Sequence, residues 1–335
     1  MVKSMDYKKL IESKEYDFLR TNEHLGDKII LLGLGGSWAY GTNIEDSDVD
    51  CRGCALNSKE ELLTNKNFEQ FVNEETDTVI YSFNKLVTLL SNCNPNTIEI
   101  LGLKPEHYIY LTEIGKELID NADMFLSKKA AFTFGAYARS QLNRLINRSG
   151  RLNDEIAENE CRSIEKSFIH LRNRHKNINK DSFKVFVEDD KIILDMNYDH
   201  MAIEEIMDIQ AELSNIHNQY KKSTRNQKAI SSGKLAKHSM HLIRLYMMGI
   251  DILTHHEIRT YRDGDDHELL MNIRSGKYLH EDGATPTKEF EVLINEYQSK
   301  FEEAEINTSL PDKPDYKRIN DFLFNINYKI VKGEI

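Results

Sequence analysis

Two carboxylates in alternation, Asp48-Val49-Asp50, stand ten residues beyond Ser37 in the run Gly35-Gly36-Ser37-Trp38-Ala39-Tyr40-Gly41-Thr42-Asn43. Read as an extended segment, Asp48 and Asp50 share one face and Val49 takes the other. Glycines without Cβ atoms let backbone N–H groups of the preceding turn approach a bound anion. A hard divalent cation is commonly held between one or two carboxylates and the phosphates of a substrate. The spacing therefore predicts a metal-bridged phosphate site.

Other glycine motifs fail on particular residues. A dinucleotide fingerprint begun at Gly33 and Gly35 needs a third glycine at position 38, which is Trp38, the only tryptophan of the chain. A P-loop from Gly36 to Thr42 lacks the lysine that must follow Gly41. The remaining pattern, Gly-Ser, ten residues, Asp-x-Asp, resembles the signature of the DNA polymerase beta type nucleotidyltransferase superfamily. Within it, Gly-Ser-x-x-x-Gly-Thr-Asn followed by Ser47-Asp48-Val49-Asp50-Cys51-Arg52-Gly53 is similar to the RNA-ligase-associated, or RNA repair, nucleotidyltransferases. Asn94-Pro95-Asn96 with Glu99 and Leu101 resembles a second block of that group, and Lys234 to Leu245 a third.

The resemblance implies transfer of a nucleoside monophosphate from an NTP to an acceptor hydroxyl, with release of pyrophosphate. Asp48 and Asp50 would hold two Mg²⁺ ions, with Mn²⁺ as the alternative metal. A third carboxylate on a neighbouring strand is expected to bind the catalytic metal and help deprotonate the acceptor. Asp77 is the choice, at the start of the β-rich stretch Thr76 to Phe83, with Glu74, Glu75 and Glu99 as rivals. An aspartate in that place can also be a turn residue. Gly36, Ser37 and Gly41 are expected to contact the nucleotide. Ser37 serves phosphate, an N-cap, or both, and Arg52 faces the carboxylates or phosphate.

Elements must carry these groups. Lys28 to Leu34 reads as an apolar strand running into the loop, Val49 to Leu56 as a second and Thr76 to Phe83 as a third, giving a small mixed sheet. Phe83, Leu86, Val87 and Leu90 mark a helix over Ser82 to Ser91, and helical spacing also covers Met1 to Gly26. Lys234, Lys237, His241 and Arg244 are three, four and three residues apart, so a helix over Gly233 to Gly249 lines them up as one basic stripe for the triphosphate. His238 falls off that stripe. Lys221 to Lys228 reads equally as a solvated face or a linker.

The expected fold class is α/β (α+β): a small mixed β-sheet nucleotidyltransferase core flanked by helices, residues 1–125, and a largely helical second domain, residues 126–335, carrying a hairpin insertion over Phe183 to Met196. The site is expected in the cleft of the two domains. Helices are also expected over Ala130 to Leu145, Ile203 to Tyr220 and Pro311 to Lys329.

Composition narrows the partners. A net charge of -11 excludes coating of nucleic acid by bulk charge, yet Lys221 to Arg244 holds seven basic residues and no acid. Arg139 to Lys180 holds ten basic residues against five acids, a candidate RNA-facing surface as much as ordinary helix surface. No stretch approaches the ~20 apolar residues of a membrane span, and the first residues lack an apolar signal core, so a cytoplasmic protein with no membrane partner is expected. Cys51 and Cys54 form a lone C-x-x-C without a second ligand pair and are expected to fill the sheet. The resemblance favours an RNA acceptor, such as tRNA or RNA ends. A protein adenylyltransferase shares the chemistry and differs in acceptor. A nucleotide-binding regulatory, antitoxin-like module would keep the pocket without turnover.

Overall fold

The computed structural model describes residues 7–149, 183–188, 191–196, 201–211, 213–214, 235–281 and 285–335. The chain divides into two compact units. One gathers Met1–Leu142, Lys237–Tyr278 and Lys288–Ile335, and the other Asn143–Ala236 and Leu279–Thr287.

A five-stranded mixed sheet forms the centre of the first unit, built from β1 (Ile29–Leu34), β2 (Cys51–Ala55), β3 (Gln70–Asn73), β4 (Thr78–Ser82) and β5 (Tyr108–Leu111) in the order β3-β4-β2-β1-β5. Strand β2 runs antiparallel to β1 and parallel to β4, while β3 and β5 pair antiparallel at the edges. All six residues of β1 are buried, as its continuous apolar run requires of a strand covered on both faces. The expected α+β class holds, and the three strands read from sequence are β1, β2 and β4. The edge strands β3 and β5 were not expected, since each has only four residues and an exposed side.

Covering elements follow the apolar spacing. Tyr16, Leu19 and Leu25 from the N-terminal turns join Ile29, Leu32, Leu34, Trp38, Cys51 and Ile80 in one core cluster. Loop helix α1 (Gly36–Tyr40) follows β1, and α2 (Phe83–Leu90) is capped by the Ser82 hydroxyl, which accepts from the Lys85 amide. Pro95 opens a short helix instead of ending one, because the Asn94 side chain caps it and proline suits a first turn. Helices α3 (Glu113–Asp120), α4 (Lys129–Ser149), α5 (Leu235–His255), α6 (Gly264–Arg274), α7 (Lys288–Asn307) and α8 (Tyr316–Lys332) complete the labelled set. Of these, α4, α5 and α8 correspond to expected helices with shifted ends. Helices α3, α6 and α7 had no counterpart in the sequence reading.

Cys51 and Cys54 are buried in β2, and burial pushes the Cys51 thiol up to about 12. In the second unit, β6 (Phe183–Glu188) pairs antiparallel with β7 (Lys191–Met196), the hairpin expected there. A helix covers 203–211. Among the described residues, no helix is long and apolar enough to cross a membrane.

Candidate active site

The signature loop is shaped by two left-handed glycines. Gly36 has φ 52°, and a Cβ built there would lie 1.7 Å from Asp50 Oδ2, so the Asp50 carboxylate occupies the space that any side chain at position 36 would need. The Gly35 amide donates to the Asp50 carbonyl at 2.8 Å, which fixes the backbone of this contact. Gly41, with φ 72°, ends α1 and packs so closely under Tyr261 that a Cβ would sit 2.5 Å from the ring. Ser37 is partly exposed at the start of α1, and its carbonyl accepts from the Thr42 amide at 2.9 Å.

The two aspartates of the pair differ in setting. Strand β2 begins only at Cys51, so Asp48 and Asp50 lie in the extended lead-in and not on the strand itself. Asp48 is exposed, and its side chain has no hydrogen bond or ion pair among the described residues. Asp50 is half-buried. Its carboxyl is pushed up to about 6, first by burial and then by the nearby Asp77 carboxylate; Arg52 and Lys237 pull the other way.

Asp77 occupies the turn from β3 to β4 with φ 43°, so it is a turn residue and a neighbour of Asp50 at once. Arg52 holds it there. One guanidinium nitrogen donates to the Asp77 carbonyl and the other meets its carboxylate at 3.2 Å. Arg52 reaches this turn because β2 and β4 run parallel, with Cys51 beside Thr78 and Arg52 beside Val79. Asp50, Asp77, Arg52 and Lys237 are therefore one electrostatic group next to Gly36.

The basic stripe does not present as a free row of cations. Lys237 is exposed, whereas Arg244 is buried, its guanidinium stacked 3.5 Å over the Tyr40 ring. His241 Nδ1 accepts from Arg244 at 2.9 Å and its Nε2 lies 3.4 Å from the Tyr137 hydroxyl, so the ring is the neutral Nε2–H tautomer. Burial, Arg244, His238 and Lys237 bring its pKa down to about 2. His241 thus positions Arg244 and carries no charge for phosphate. The physical reason is the sharing of one helix face by a packed surface and a polar one. Lys234 lies outside the described residues, as do all of Lys221 to Lys234 and most of Arg139 to Lys180.

Glu99, a rival for the third carboxylate, is half-buried. It accepts from the Tyr40 hydroxyl at 2.6 Å, and burial raises its pKa. Glu74 and Glu75 are exposed in the turn before Asp77. Among the described residues no three His, Cys, Asp or Glu side chains are grouped as a metal site. The Asp50 and Asp77 pair still fits Mg²⁺, which keeps several waters and takes one or two carboxylates with substrate phosphates.

The sequence reading missed α6. Arg274, its last residue, donates to the Ser47 hydroxyl at 3.1 Å across 227 positions of chain. His267 of the same helix contacts the Gly41 carbonyl at 2.9 Å. Asp263 before the helix, the acidic first turn and the basic last residue were legible start and stop signals. Nothing local in the sequence places that helix beside the loop.

The sequence profile of the RNA repair pathway DNA polymerase beta family matches residues 10–325 of this chain. The chain belongs to that family. Membership implies a nucleotidyltransferase of an RNA repair pathway, with a nucleotide as substrate and RNA involved. No curated protein and no solved structure gives a match.

Proposed function

We propose that the chain transfers a nucleoside monophosphate from an NTP to a hydroxyl of RNA, with pyrophosphate as the leaving group. The observation that carries the reading is the Asp50 carboxylate seated in the Cβ-free space of Gly36, with the Asp77 turn tied to the neighbouring Cys51 amide and to Arg52. A carboxylate pair beside a glycine turn suits a divalent cation that also grips phosphates. Asp50 and Asp77 would hold Mg²⁺ or Mn²⁺, with Asp48 in reach of the same phosphates from its exposed position. Such ions supply charge neutralisation and a lowered pKa for the attacking hydroxyl.

The chain's own groups take the remaining tasks. Arg52 fixes Asp77 through its carbonyl and carboxylate, so the pair cannot separate when charged. The Gly36 and Ser37 segment presents backbone donors to the nucleotide. Lys237, close enough to lower the Asp50 pKa, can meet the charge that develops on the departing phosphates.

Incubation with labelled NTP, Mg²⁺ and either total RNA or cell lysate tests the proposal. Label should enter RNA, and Asp50→Asn should lower transfer by about a thousandfold or more, the range lost with a key electrostatic group. Label in protein alone would move the acceptor to a protein hydroxyl, and wild-type turnover by Asp50→Asn would remove the metal assignment.

A further inference from the structure

A cleft of about 380 Å³ opens at the end of the sheet opposite the signature loop, with His24, Glu60, Glu61 and Lys66 in its wall. Lys28, also in that wall, stands just before β1, whereas Gly35 follows β1 and Asp50 precedes β2. The length of β1, about 20 Å of strand, therefore separates the cleft from Asp50 and Gly36.

An aromatic stack backs the cleft. The His24 imidazole lies parallel to the Phe68 ring, with 4.4 Å between centroids and 1° between planes, and Phe68 is buried behind it. His24 Nδ1 donates to the Glu61 carboxylate at 2.7 Å, and its Nε2 edge faces Glu23 at 3.8 Å. Glu61 is itself fixed, because it closes the capping box of the helix Lys59–Leu63 and accepts from the Ser58 amide at 2.8 Å. One ring face and both nitrogen edges are thus occupied, so the 31% of the His24 side chain that stays exposed is its outer face, turned to the cleft.

A ring held by its edges, with a second ring behind it, is a platform for a third planar ring. The charges around it narrow the ligand further. Lys28 is spent on the Glu23 carbonyl at 2.6 Å. Lys66 is exposed, with no carboxylate partner among the described residues, and can meet a phosphate. Glu60 is exposed on the same terms and accepts from an amine. A bare anion would be repelled by Glu60, and an apolar ligand would strand both charges. A nucleotide matches all three groups with its base, its phosphate and an exocyclic amine.

We infer that this cleft holds one nucleotide of a single RNA strand, its base stacked on His24, an exocyclic amine on Glu60 and its phosphate on Lys66. The inference deepens the nucleotide-transfer reading, on which RNA as the source of that nucleotide rests; the stacking seat itself stands on the cleft's own residues.

Fluorescence anisotropy of the full chain with labelled oligoadenylate or oligouridylate, in EDTA to silence metal-bound nucleotide, beside calorimetric titration with AMP, tests it. Oligoadenylate should bind, and oligouridylate, whose base has no amine, should bind about fivefold or more weakly. His24→Ala and Lys66→Glu should each weaken oligoadenylate by about tenfold. His24→Phe, which restores a ring without the bond to Glu61, should stay within about twofold of wild type. Equal losses in His24→Ala and His24→Phe would reduce His24 to a support for Glu61 and overturn the inference. So would no oligoadenylate binding by the wild type, equal affinity for the two oligonucleotides, or unchanged binding by His24→Ala and Lys66→Glu. Should His24→Ala fail to fold, the exposed Lys66→Glu decides in its place. Oligoadenylate bound no tighter than AMP would give the cleft to a free nucleotide and overturn the RNA assignment. Oligoadenylate binding that depends on His24 and Lys66, with no label transferred by the wild type from NTP to any acceptor, would keep the cleft and refute the transferase reading. Label transfer to RNA with binding indifferent to both residues would do the reverse.

Discussion

Two buried arginine clusters on α5 and α6 are handled in opposite ways. Arg262, just before α6 and 1% exposed, meets Asp251 at 2.7 Å and Asp266 at 3.3 Å, with Arg259 on the same two carboxylates. Arg244 and Arg274, on the same two helices, share a histidine, a tyrosine and a serine, and no carboxylate. The first cluster is balanced within the protein, as a buried charge must be if it is there for the fold. The second has Glu99 near Arg244, and that carboxylate accepts from the Tyr40 hydroxyl. What separates the two clusters is a direct ion pair, present in the first and absent from the second among the described residues.

Stability separates the clusters most strongly. Arg262→Gln leaves Asp251 and Asp266 with Arg259 alone and should cost about 3 kcal/mol of unfolding free energy, whereas Arg274→Gln should cost under about 1 kcal/mol because no carboxylate among the described residues pairs with it. Urea unfolding of both variants checks this, and equal losses would erase the distinction. Next in size is a pH effect confined to the unbalanced cluster. His241 is held neutral with a folded pKa of about 2 against an ordinary 6.5. Its stabilising contribution is therefore complete above pH 6.5 and is lost as pH falls below it, by up to about 1.4 kcal/mol per pH unit, because only the unfolded chain takes the proton. His241→Gln, which keeps an acceptor for Arg244, should flatten the slope of unfolding free energy between pH 6.5 and 5. Smallest is Lys237→Ala, expected to weaken NTP binding about tenfold, near 1.4 kcal/mol, with an unchanged melting temperature since the side chain is exposed. A calorimetric titration beside a thermal melt would show it.

What was legible in the sequence follows the range of each interaction. The strand into Gly35 and the hairpin over Phe183 to Met196 are local patterns, and the structure has both. The stripe Lys237, His241, Arg244 was visible as spacing, but spacing does not say that Tyr40 and Tyr137 roof two of its members. Asp77 was weighed as a turn residue against a partner of the Asp pair. It is in the turn and beside Asp50, because the parallel pairing of β2 and β4 brings its turn level with Cys51. Arg274 was out of reach, since its one described contact with the signature joins residues far apart in the chain. The edge strands β3 and β5 were too short for a period to register.

Helix α6 bears on the signature loop at both of its ends, through His267 at Gly41 and Arg274 at Ser47, while Tyr261 lies over the left-handed bend. The motif's letters all sit in the first 53 residues, yet the parts that hold its shape arrive more than two hundred residues later. A ribosome that has just completed the signature has made a sentence without punctuation: the loop gains these three contacts only when Tyr261 and α6 emerge. A fragment cut after the sheet would keep Asp48, Asp50 and Asp77 and lose that grip on the loop.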